Sequence, residues 1–235
     1  MPILDFDQPE GDLGTLSQIV HTIFGEGAQA TDIVILLTIL TLLPSILLML
    51  TGFTRIIIVL SFVRQATALQ QTPPNQVLIG LALFLTFFVM QPVFARVYEE
   101  AYVPFSAGEM TQEEFLEAAM DPMREFMFAQ VFDTDLNFFI ALSGEEFDEI
   151  EDIPNAILIP AFITSEIKQA MFLGFFIYLP FIVIDMIVAS TLMALGMMML
   201  PPAMISLPFK VLLFVMIDGW QLIIGTMIDT FVRVG

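Results

Sequence analysis

The chain has 235 residues, 57% of them apolar and only 14% charged, against roughly 25% charged in an ordinary soluble domain. Its mean hydropathy is +0.88, and uncharged runs such as Ile33 to Thr54 and Gln65 to Ala95 point to lipid or to a large apolar assembly, not to a soluble monomeric enzyme. A formal net charge of −19 with seven Lys and Arg excludes a phosphate-collecting surface and hence nucleic-acid binding, and the lack of cysteine removes disulfides, Cys-ligated zinc and thiol catalysis together.

Residues 1–32 are an acidic N-terminal segment with six carboxylates and no Lys or Arg, the opposite of the basic start of a secretory signal. The one histidine, His21, sits here with no second metal ligand in view. Residues 33–96 read as a first hydrophobic helical hairpin. The 22 uncharged residues from Ile33 to Thr54 would make a helix of about 33 Å, enough to cross a hydrocarbon core, with a kink at Pro44. Arg55 and Arg64 bracket Ile56 to Val63 and project from opposite helix faces, as separate anchors. Thr72-Pro73-Pro74-Asn75 breaks the helix, and Val77 to Ala95 forms the second arm, with Pro92 near its end.

Residues 97–154 differ in kind. Tyr98 to Asp152 holds 16 of the 26 acidic residues against one base, Arg124, and reads as a solvated insert outside the membrane. Thr111 with Glu114 has the form of a capping box, and Asp121-Pro122 that of an N-cap followed by Pro at the first helical position, so short helices are expected. Phe115, Phe126, Phe128, Phe132, Phe138 and Phe139 support folded structure and are expected to face partner subunits. The run Glu145, Glu146, Asp148, Glu149, Glu151, Asp152 lacks the ligand spacing and glycine of an EF-hand loop and reads as solvated charge.

Residues 155–235 read as a second hydrophobic hairpin. From Gln169 to Phe209 the only charge in 41 residues is Asp185. The pattern predicts a helix from about Pro160, a kink near Pro180, a further stretch to about Leu195, a tip at Gly196 to Pro202, and a last helix from Pro208 through Asp218-Gly219-Trp220 to about Phe231. The bases Arg55, Arg64 and Lys210 are expected in connections on one side of a membrane, with the acidic N-terminus and insert on the other.

No P-loop, dinucleotide-binding glycine pattern or nucleophile elbow is present, so no catalytic residue, cofactor or metal is expected. The charges embedded in or beside apolar helices, Glu166, Lys168, Asp185, Lys210 and Asp218, need partners. Glu166 is expected to pair with Lys210, within one chain or between subunits, with Glu166 and Lys168 at a wet helix end as the plain alternative. Asp185 and Asp218 are candidate buried charges. Of the 16 methionines, Met197, Met198 and Met199 lie at the hairpin tip, where flexible thioethers can project and repack, although Met is also a common filler of apolar helices.

Three stretches carry a family resemblance: Thr54 to Leu60, Gln71-Thr72-Pro73-Pro74-Asn75-Gln76 through Phe88, and Ala194-Leu195-Gly196-Met197-Met198-Met199 through Asp218-Gly219-Trp220-Gln221. They closely resemble the FliP family of flagellar type III export-gate proteins, whose injectisome counterparts share the Leu-Gly-Met-Met-Met and Asp-Gly-Trp patterns. The sequence departs from the family at Ala66-Thr67-Ala68, where many members have Ala-Leu-Gly. The resemblance implies an all-α chain in a ring of copies, expected as a pentamer, joined by FliQ and FliR in a helical cone at the bacterial inner membrane, largely on its periplasmic side. Unfolded flagellar subunits would pass through it, and Met197, Met198 and Met199 would form a pore gasket. The competing reading is an ion or small-solute transporter with Asp185 as its functional carboxylate.

Overall fold

The computed structural model describes Thr38, Thr41 and residues 48–69, 71–197 and 199–232. The acidic segment, His21, the expected kink at Pro44 and Met198 lie outside the described residues. All regular structure among the described residues is helical, and apart from short turns of helix at Tyr98–Tyr102, Val103–Ser106 and Ile150–Asp152 it consists of α1 Phe53–Ala66, α2 Asn75–Val97, α3 Gln112–Gln130, α4 Asp133–Ser143, α5 Asn155–Ala194, α6 Pro202–Met216 and α7 Gly219–Val232. Two apolar stretches are long enough to cross a membrane, Asn75–Ser106 and Asn155–Ala194, and α6 with α7 form a third candidate bent by 64°.

The uncharged run around Thr54 does not continue as one helix. Residues 50–52 form a turn and bend, and α1 starts afresh at Phe53. A Cβ on Gly52 would overlap the Phe231 ring, so any larger residue there would have to displace that ring. On α1 the buried apolar residues Ile56, Val59, Leu60 and Val63 recur at helical spacing, one stripe facing inward. Pro73 and Pro74 separate α1 from α2, and α1 packs against α2 and, most extensively, against α5.

The acidic insert is folded. Thr111 and Glu114 form the expected capping box at the start of α3, and the Thr111 backbone N–H, with its hydroxyl second, holds the Glu114 carboxyl below the usual carboxylate range. Asp121-Pro122 does not start a helix, because α3 runs through Pro122. One backbone donor is lost there, while Met123, Met127 and Gln130 on the same face are buried and hold the helix together. Phe126, Phe128 and Phe139 are half-buried against this chain's own core. Phe132 and Phe138 remain exposed.

Helix α5 carries the fold, with α1, α3, α4 and α6 all packed on it. It is a single helix of 40 residues containing both Pro160 and Pro180, so it starts at Asn155, ahead of the expected Pro160, and runs unbroken through Pro180. Each proline removes one backbone bond, but the helix is fixed on both sides of each: Leu158, Ala161 and Phe162 are buried about the first, and Gly174 and Phe181 before and after the second. Close approach is built in at Gly174, where a Cβ would overlap Phe62 of α1. At 1.5 Å per residue α5 is about 60 Å long, roughly twice a hydrocarbon core.

The buried side chains fall into two clusters. One joins α1, α2, α7 and the middle of α5 through Leu60, Leu78, Ala170, Phe181 and Met227. The other joins α2, α3, α4 and the start of α5 through Met90, Met127, Leu136, Leu158 and Phe162. Beyond Phe181, α5 turns much of its surface outward, and Val183, Met186, Ile187 and Met193 are exposed. An apolar surface of that extent is unusual on a soluble monomer and marks a face meant for lipid or protein.

The last helix also differs from expectation. α6 starts at Pro202, with Pro208 inside it, and the chain breaks at Ile217 and Asp218 before α7. Asp218 has φ 52°, a left-handed conformation that ends a helix, and a Cβ on Gly219 would overlap the Phe214 ring. Asp218 is therefore a helix-junction residue, not a buried charge.

Candidate functional site

The tip of the α5–α6 hairpin is made by local chemistry. The Gly196 N–H donates to the Met193 carbonyl at 3.0 Å and the Met197 N–H to the Leu192 carbonyl at 2.9 Å, the paired bonds of a Schellman motif. Gly196 supplies the left-handed residue this requires, at φ 76°. Pro201 and Pro202 then begin α6 from its N-cap and first position. The link cannot continue either helix, so its side chains point off the end of the hairpin: Met197 is 48% and Met199 98% exposed. Met198 lies outside the described residues.

Behind the tip the hairpin arms are fastened by polar groups. Asp185 on α5 accepts from Ser206 Oγ at 2.6 Å and from Lys210 Nζ at 2.6 Å, both on α6. Lys210 is almost fully buried, whereas the Asp185 side chain is about one-third exposed. That asymmetry gives an expected outcome. Asp185→Ala strands a buried ammonium and should destabilise the detergent-solubilised chain more than Lys210→Met, by on the order of 1 to 2 kcal/mol, and so have the lower unfolding midpoint. Equal midpoints for the two variants would contradict the asymmetry.

A second polar centre lies deeper. Arg55 on α1 donates through Nε to Glu166 Oε2 at 3.1 Å and through Nη2 to Glu166 Oε1, a bidentate pair with both side chains fully buried. Its other donors reach Thr230 Oγ1 at 2.9 Å and Gln130 Oε1 at 3.0 Å, and its guanidinium lies 3.9 Å from the Phe231 ring centroid. Gln130 Nε2 donates onward to the Phe231 carbonyl at 3.2 Å. One arginine thus ties α1, α3, α5 and α7. Among the described residues, no buried side-chain polar atom lacks a partner.

A third set joins the insert to α5. The buried Asp135 accepts from Ser165 Oγ at 2.8 Å and pairs with Lys168, while the Phe132 N–H donates to Ser165 Oγ at 3.0 Å. Arg124 clamps the entry to α5 by donating to the Glu151 and Ile153 carbonyls, each at 2.8 Å, and to Asn155.

The expected Glu166–Lys210 pair is corrected by these contacts: Glu166 pairs with Arg55, and Lys210 with Asp185. Geometry accounts for it, since Glu166 and Asp185 are about 28 Å apart along one continuous helix and Lys210 faces only the latter. Nor do Arg55 and Lys210 lie in connections. Both are buried inside helices, so they cast no vote on membrane sidedness. Asp185 is held by two donors as a structural acceptor, which removes the observation that favoured a transporter. Arg55 was legible only as a charge beside an apolar run, and the one hint of its burial was Gly52, a helix breaker just ahead of it.

The FliP family model matches residues 36–227, a span that holds the hairpin tip, the Asp185–Lys210 clasp and the Arg55–Glu166 pair. The chain belongs to the FliP family. It is similar to the flagellar biosynthetic protein FliP of Pectobacterium carotovorum, 56% identical over 84% of this chain and 77% of that protein. It is also similar to the flagellar biosynthetic protein FliP of Bacillus subtilis, 50% identical over 87% of this chain and 93% of that protein. That of Borreliella burgdorferi is 45% identical over 98% of this chain and 87% of that protein. A FliP-family chain built in this way presents an exposed methionine tip on a polar-clasped hairpin. Among the described residues no group of three or more His, Cys, Asp or Glu could hold a metal.

Proposed function

We propose that this chain is a core subunit of the flagellar type III protein export gate, forming and sealing the pore through which unfolded flagellar subunits are secreted. It is a component of the export apparatus and not an enzyme. What carries the reading is the FliP-family match across residues 36–227. The geometry supports it: α5 and α6 expose Val183, Met186, Ile187, Leu212 and Val215, and an apolar groove of about 520 Å³ opens between them, lined by Ile184, Ile187, Val188, Thr191, Ile205 and Phe209. Such faces fit a subunit surrounded by other helices and lipid.

In this reading the copies form a ring, expected as a pentamer, completed by FliQ and FliR, at the inner membrane with much of the gate on its periplasmic side. The hairpin tips meet about the axis, and symmetry gathers Met197, Met198 and Met199 of every copy into one apolar, deformable belt. The acidic insert lies outside the membrane. Co-expression with FliQ and FliR tests the reading. A stable complex holding several copies of this chain and both small hydrophobic partners is the expected result, and a functional monomer or dimer that retains neither partner would refute it.

A further inference from the structure

The acid-rich insert contains a groove that the export-gate reading leaves unused. It lies between α4 and the following segment and encloses about 620 Å³. Its floor is apolar: Leu136 and Ile153 are buried, and Ile140 and Phe147 are half-buried beside them. Its rim carries Asp133, Glu145, Glu146, Asp148 and Glu149, all exposed, and none of the five forms an ion pair among the described residues. At the lip Ile150 is 64% exposed, an apolar side chain held in water among carboxylates. Gly144 ends α4 at φ 70° and turns the acidic segment back along that helix.

We propose that this groove receives a basic amphipathic segment of a different protein, with Lys or Arg against the rim and apolar side chains against Ile150 and the floor. Charge decides the class of occupant. Five unpaired carboxylates around an apolar floor disfavour an acidic or neutral peptide and favour a cationic one. This chain supplies no such segment: its seven bases are scattered from Arg55 to Arg233 with no two closer than nine residues. A second copy is a poor occupant for the same reason, and it brings a further net charge of −19. Residues 1–32 carry carboxylates and no Lys or Arg, so the N-terminal segment is repelled as well.

The test uses the full chain in a non-ionic detergent and three labelled probes read by fluorescence anisotropy: an 18-residue amphipathic Leu/Lys peptide, its Leu/Glu counterpart, and oligolysine. The Leu/Lys peptide should bind most tightly. Its Kd should weaken by about tenfold in the combined variant Glu145→Gln, Glu146→Gln, Asp148→Asn, Glu149→Gln, the scale of four exposed ion pairs, and by several-fold in Ile150→Ser. Unchanged affinity in both variants would overturn the proposal, as would oligolysine binding as tightly as the amphipathic peptide, which would mean a mere counterion cloud. A change in the chain's own oligomeric mass on neutralising the rim would assign the groove to a contact between copies, and that too overturns it. Should the fourfold variant lose helix by circular dichroism, Ile150→Ser carries the comparison, since its side chain is largely in water.

Discussion

Arg55→Ala and Glu166→Ala are each expected to destabilise the chain by about 3 to 5 kcal/mol, because removing one partner leaves the other as an uncompensated charge in a dry interior. Both side chains are fully buried, so neither can turn to water. The loss reaches beyond two helices: Arg55 also holds Gln130 of α3 and Thr230 of α7, and its guanidinium covers Phe231. In a domain whose total stability is of order 5 to 15 kcal/mol, such a loss should leave little folded chain in detergent and little gate in cells. The double variant Arg55→Met, Glu166→Leu should recover much of the loss, since two apolar side chains of similar volume need no partner. Folded yield and unfolding midpoint in detergent are the measurements. Single variants as stable as the parent, or a double variant worse than either single, would contradict the account.

Replacing Met197, Met198 and Met199 together with Ala is expected to leave folding intact and to open a leak. Met199 is 98% exposed and Met197 about half exposed, so within one chain they contribute little packing, and stability should change by less than about 0.5 kcal/mol for each of these two. In the proposed ring each Ala withdraws most of a long apolar side chain from the constriction, and water and ions then wet a passage that was dry. Gated assemblies carrying the variant should admit ions or a small dye at rest, while co-purification with FliQ and FliR is unchanged. Assemblies that form normally and stay as tight as the parent would move the sealing role to other residues. This separates the gasket from the clasp behind it, because variants at Asp185 or Lys210 act on stability first.

Much of the architecture could be read from the sequence because its causes are local. Hydrophobicity over long uncharged runs specifies apolar helices, Thr111 and Glu114 specify a helix start three residues apart, and Gly196 before Pro201 and Pro202 specifies a tip. Each signal acts within one or two turns of chain. The folded state of the insert was legible for a similar reason, since phenylalanines such as Phe115, Phe126 and Phe139 among so many carboxylates have no use in a disordered segment.

What the tertiary structure decided is where the charges go and which breakers break. Pro122, Pro160, Pro180 and Pro208 all lie inside helices, whereas Asp218 ends one. A proline costs one bond and some strain, and contacts to neighbouring helices can hold the helix through it. Sequence alone does not show whether those contacts exist. Pairing is less local still. Arg55 meets Glu166 across 111 positions of chain because α1 and α5 are pressed together at Gly174 and because Gly52 lets Phe231 close over the guanidinium. Composition established that embedded charges need partners. The crossing of α1, α3, α5 and α7 chose Arg55 for Glu166 and left Lys210 to Asp185, since helix periodicity sets which face a side chain occupies and only packing sets what that face meets.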